Sequence, residues 1–80
     1  MAADTATLID YLVRSLVDDA EAVSIARTET PSGELFEITV APDDVGKVIG
    51  RSGRIVKALR TLMRAAGSVD GRNVDIEILG

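Results

Sequence analysis

The chain has 80 residues, room for one hydrophobic core and not for two, since a chain of this length buries only about 60 to 65% of its unfolded surface. Its 46% hydrophobic and 28% charged residues exclude an intrinsically disordered chain, and the absence of cysteine and histidine removes disulfides, thiolate and imidazole nucleophiles and the usual zinc ligands. The net charge of -4 opposes a nucleic-acid partner only until its distribution is read: six basic residues and no acidic one stand between Val45 and Val69, against three basic and thirteen acidic residues elsewhere.

The start MAADTATLID lacks the basic end and apolar core of a signal peptide, and no stretch reaches the roughly 18 apolar residues of a membrane span, so a cytoplasmic protein is expected. Residues 1–4 read as an unstructured tail. From Thr5 to Val17, Leu8, Ile9, Leu12, Val13, Leu16 and Val17 recur on one helical face, with Thr7 and Asp10 spaced as a capping box. Val23 and Ile25 then alternate with Ser24 and Ala26 as a strand, and Thr30-Pro31-Ser32-Gly33 forms a turn. The alternation resumes with Phe36, Ile38 and Val40 on one side and Leu35, Glu37 and Thr39 on the other, so the two strands form a hairpin. Ala41-Pro42-Asp43-Asp44 reads as a helix start, its carboxylates facing the positive end of the helix dipole. A short helix to Ile49 follows, then Gly50 to Gly53, then a longer helix from Arg54 to Ala66 that Gly67 would end. On that helix Ile55, Val56, Ala58, Leu59, Leu62, Met63 and Ala66 share one half of the circumference, and Lys57, Arg60 and Arg64 the other. After the turn at Asp70-Gly71, Val74, Ile76 and Ile78 alternate with Asp75 and Glu77 as a last strand.

The order α-β-β-α-α-β predicts one α+β domain over 1–80, a three-stranded mixed sheet with the Leu35–Val40 strand central and three helices on one face. Glu37, Asp75 and Glu77 are expected on the bare face, away from the basic helix pair. Two glycines flanking Arg51 and Ser52 between helices suggest a loop built for an anion. One glycine serves the turn and the other would let an external backbone approach, beside helix N–H groups, the Arg51 guanidinium and a Ser52 hydroxyl able to cap or to donate. Neither a dinucleotide fingerprint nor a P-loop fits, because both need a strand directly before the loop.

The stretch Val48-Ile49-Gly50-Arg51-Ser52-Gly53-Arg54-Ile55 resembles the signature of KH domains, and the element order resembles the bacterial type II KH fold. Leu12-Val13-Arg14-Ser15-Leu16-Val17-Asp18, Val40-Ala41-Pro42 and Gly46-Lys47-Val48-Ile49-Gly50 resemble the small stand-alone RNA-binding proteins of the KhpA family. The resemblance implies that Gly50, Arg51, Ser52 and Gly53 grip the backbone of about four nucleotides of single-stranded RNA. It also implies that Gly46, Lys47, Ile49, Arg54 and Ile55 flank an apolar groove for the bases. Lys57, next along the cationic face, is added as an RNA contact, although a solvated helix face explains it as well. The family further implies a role as a post-transcriptional regulator or RNA chaperone linked to cell elongation and division. Its implied partners are a second copy and a larger Jag-type KH protein. Val56 and Met63, at the edge of the apolar arc, are expected to exceed what the sheet can bury and so to mediate self-association.

An enzyme is not expected, because no acid is paired with a plausible base, and neither a cofactor, a metal nor a small-molecule substrate is implied. With only Tyr11 and Phe36 aromatic, the composition argues against base stacking of the RRM or OB kind. A protein-protein module that keeps a KH fold without RNA remains the alternative; Arg51, basic at the loop tip, favours RNA.

Overall fold

The computed structural model describes residues 4–79. It contains α1 (Thr5–Leu16), β1 (Ser24–Thr30), β2 (Gly33–Thr39), α2 (Val45–Ile49), α3 (Arg54–Ser68) and β3 (Asn73–Leu79), with single 3-10 turns before β1, α2 and α3. The expected tail at residues 1–3 lies outside the described residues, whereas Asp4 is structured. It caps α1 by accepting from the Ala6 N–H at 3.1 Å and from the Thr7 hydroxyl at 3.1 Å. The cap therefore lies three residues earlier than the predicted Thr7–Asp10 pair, and Asp10 instead takes the Arg14 guanidinium at 2.9 Å one turn on.

The sheet order is β1-β2-β3, with β1 antiparallel and β3 parallel to the central β2. In register, Ile25 faces Ile38 and Phe36 faces Ile76, so the alternation of all three strands delivers one apolar layer to the helices. Ile9 and Val13 of α1, Val48 of α2, and Leu59 and Met63 of α3 close over Phe36, Ile38, Val74 and Ile76 in one cluster. This is the α+β, three-helix arrangement the periodicities predict.

Four further expectations are corrected. Met63 is fully buried in the core, and the large apolar side chain that α3 leaves outside is Leu62, half exposed. The helix does not stop at Gly67. It continues to Ser68, and Gly67 is buried because a Cβ there would stand 2.5 Å from Val74 Cγ2 and 2.8 Å from the Arg72 carbonyl oxygen. Asp75 is not remote from the basic helix: it accepts from Arg60 at 3.0 Å and Arg64 at 3.3 Å, while Arg60 also reaches the Ile76 carbonyl at 3.2 Å. Asp44 does more than face a helix dipole; its carboxylate is buried and joins α2 to the segment leaving α1. Glu34, which continues the inward face of β2, is also buried, and Thr5, Arg27 and Arg72 surround it. Burial alone would raise the Glu34 pKa. The Thr5 hydroxyl and the two guanidinium groups outweigh it and hold the carboxyl below its ordinary value.

Candidate nucleic-acid interface

Between α2 and α3 the chain turns through residues that leave the right-handed region. Gly50 takes φ 77° and ψ 172°, Ser52 φ 58° and ψ 25°, and Gly53 φ 73° and ψ 17°. Glycine adopts these angles at little cost, whereas an L-residue such as Ser52 is strained there by about 1 kcal/mol. The two glycines differ in their surroundings. A Cβ on Gly50 would lie 2.6 Å from Ile55 Cγ1, so the missing side chain lets Ile55 pack beneath the loop; a Cβ on Gly53 would meet only Val56, at 3.9 Å. The open side of the loop is therefore at Gly53, where an external group can approach the backbone.

Three features make this open side attractive to an anion. No side chain caps the N-terminus of α3, which leaves the positive end of a 15-residue helix facing the loop. The Ser52 hydroxyl, offered by the sequence as a cap, is exposed and makes no hydrogen bond among the described residues. Arg51, Arg54 and Lys57, exposed on the loop and the first turns of α3, form no ion pair among the described residues. The other six basic residues do: Arg14 with Asp10, Arg27 with Glu34, Lys47 with Asp18 and Asp44, Arg60 and Arg64 with Asp75, and Arg72 with Glu34. The basic block of the sequence thus shrinks, after folding, to three uncompensated cations around one loop.

The structure brings most of the sequence-selected residues to one end of the molecule. Gly50 to Gly53 form the turn, Arg54 and Ile55 open α3, Lys57 follows at the next turn, and half-buried Ile49 ends α2. Gly46, exposed on α2, would carry a Cβ that meets nothing within 4 Å, so no internal contact requires a glycine there. Lys47 stands apart electrostatically. Its ammonium lies 2.7 Å from Asp18 and 3.0 Å from Asp44, and these carboxylates raise its pKa to about 12. Asp44 is held below its ordinary pKa by the Asp19 N–H first, then by Lys47 and the Asp18 N–H, against the opposing effect of burial. Sequence reasoning missed these partners, although the three-residue spacing of Asp44 and Lys47 on a helix start was a usable signal.

An apolar strip borders the same end. Leu12 and Leu16 of α1 and Ile55, Ala58, Leu59 and Leu62 of α3 line an open groove together with Ser15 and Arg54. No helix among the described residues is long and apolar enough to cross a membrane.

Comparison with known proteins agrees with this geometry. The family described as KhpA/KhpB, KH domain, matches residues 6–78. The chain is 44% identical over 72 residues to the RNA-binding protein KhpA of Oceanobacillus iheyensis, covering 90% of this chain and 96% of that protein. It is 42% identical over 74 residues to the RNA-binding protein KhpA of Leifsonia xyli subsp. xyli, covering 92% and 95%. For the RNA-binding protein KhpA of Borreliella burgdorferi the identity is 43% over 72 residues, covering 90% and 88%. With a KH fold, a glycine-flanked loop between its second and third helices and this degree of identity, the chain belongs to the KhpA/KhpB KH-domain family.

Proposed function

We propose that the protein acts through a KH module, as a binding protein and not an enzyme, that grips about four nucleotides of single-stranded RNA at Gly50-Arg51-Ser52-Gly53. The observation that carries this reading is the coincidence, at one loop, of three cations with no ion-pair partner among the described residues, Arg51, Arg54 and Lys57, with the uncapped N-terminus of α3. The names of its relatives support RNA as the ligand. A strand entering at Gly53 would place its phosphates on the helix end and the guanidinium groups, with Ser52 donating to a phosphate oxygen. Gly46 and Ile49 would border the bases on α2, and Ile55 would border them on α3. Phe36 is buried and Tyr11, though exposed on α1, is not among the residues lining the apolar groove, so base contacts would be aliphatic and discrimination weak.

The test is the double change Arg51→Asp with Ser52→Asp. Aspartate tolerates the left-handed angles at position 52, and both side chains are exposed, so the fold should persist while two carboxylates face the phosphates. Circular dichroism should be unchanged and oligonucleotide binding lost. A folded double variant that still bound RNA would reject the loop as the site.

The physiological setting that goes with this reading is a cytoplasmic post-transcriptional regulator or RNA chaperone linked to cell elongation and division. Self-association belongs to it as well, on the apolar strip that includes Leu12, Ala58 and the half-exposed Leu62. A Jag-type KH protein would compete for the same strip.

A further inference from the structure

Lys47 stands on the short helix that leads into the loop, where a cation would ordinarily be counted as a phosphate contact. Its surroundings argue otherwise. The ammonium sits between Asp18 Oδ2 at 2.7 Å and Asp44 Oδ1 at 3.0 Å, and the Asp44 side chain is only 3% exposed. Asp44 also accepts from the backbone N–H of Asp18 at 3.3 Å and of Asp19 at 3.0 Å. Two carboxylates and one ammonium leave this cluster with a negative sum, which repels a phosphate. Drawing Lys47 away to RNA would leave a buried carboxylate without its counter-charge, a penalty well above the worth of one solvent-exposed phosphate contact.

α2 has five residues, far below the length at which a helix holds its own shape in water. Its direction must come from tertiary contacts. Val48 anchors one side in the core, and the Asp44–Lys47–Asp18 cluster ties its start to the chain leaving α1. The loop follows directly, because the Gly50 N–H bonds back to the Gly46 carbonyl at 2.8 Å before the chain turns.

We propose that Lys47 and Asp44 are positioning residues, a brace between α1 and α2 that fixes the Gly50–Gly53 loop in its binding geometry, and that Lys47 does not itself contact phosphate. This deepens the RNA-binding reading and rests on it for the consequence on affinity, whereas the bracing is a property of the free protein. In a folded α2 without its brace, the loop must be ordered each time a strand binds, which lowers affinity and leaves the number of phosphate contacts unchanged.

The experiment compares the starting protein with Lys47→Ala, Asp18→Asn and Arg51→Ala. Backbone amide order parameters are measured on the free proteins, and binding of a short oligouridylate is titrated from about 50 to 200 mM salt. Lys47→Ala should lower the order parameters of residues 50–53 from about 0.85 toward 0.6. It should also weaken binding roughly threefold to tenfold at every salt concentration, with the salt slope unchanged. Arg51→Ala should leave the loop ordered and flatten the slope by about 0.7. Asp18 is 84% exposed, so Asp18→Asn cannot disturb the core and keeps the question open to test should Lys47→Ala fail to fold. It should loosen the same amides without steepening the slope. Order parameters that stay put in both variants overturn the brace. A Lys47→Ala slope flattened by about 0.7, or an Asp18→Asn slope steepened by as much, shows that Lys47 is a phosphate contact after all. If the starting protein fails to bind the oligonucleotide, the RNA reading falls, while the order parameters still decide the brace.

Discussion

Gly46 on α2 and Gly50 just past its end lie four residues apart, yet the fold uses them differently. Gly50 is required twice over, by a φ of 77° and by Ile55 Cγ1 at 2.6 Å from where a Cβ would stand. Gly50→Ala should therefore cost about 1–3 kcal/mol of stability, and thermal melting will read the loss directly. Gly46 has no such reason, since an added methyl would project into open space. In a helix alanine outranks glycine by up to about 1 kcal/mol, so Gly46→Ala should raise the melting temperature by a few degrees. If RNA lies against this bare surface, the same change should weaken binding. A Gly46→Ala protein that is more stable and binds equally well would remove Gly46 from the interface. At this scale the loop was legible because its glycines and Arg51 are local features. The burial of Asp44 was not: its partners are the N–H groups of Asp18 and Asp19, some 25 residues away, and nothing local in the sequence announces them.

Among the elements, α3 carries the most opposed demands. Its inner face closes the core through Leu59 and Met63, its first turns present Arg54 and Lys57, and Leu62 stands half exposed toward α1. Leu62→Glu should shift any self-associated species to monomer in sedimentation while preserving the fold, whereas the same change at buried Met63 should unfold the protein. Sedimentation showing monomer at all concentrations for the unchanged protein would reject the association itself. Periodicity identified all six elements and their order, because the alternation of β2 and β3 and the 3.6-residue recurrence in α1 and α3 are strong. Two boundaries escaped it. β1 extends through Arg27 and Glu29, whose charges mask the alternation and are explained only by Glu34 across the hairpin and Arg27 reaching it. Gly67 reads as a helix end by propensity, yet tertiary packing of Val74 into its missing side chain keeps it helical.

Over the whole molecule, folding converts a sequence block of six cations into a much smaller electrostatic footprint. Lys47, Arg60 and Arg64 are spent on Asp18, Asp44 and Asp75, and the Asp75 carboxyl, despite partial burial that would raise its pKa, is held low by the Ile76 N–H, Arg64 and Arg60. What remains for a ligand is Arg51, Arg54 and Lys57. Three cations can hold about three phosphates, and the salt dependence of binding to a short single-stranded RNA measures that number most directly. Three contacts at roughly 0.7 each give a slope of about -2, a loss of roughly 20-fold in affinity between about 50 and 200 mM salt. A slope near -4, with a loss of several hundred-fold, would mean that all six cations hold the strand and that the ion pairs seen here give way on binding, which would contradict the loop-centred site.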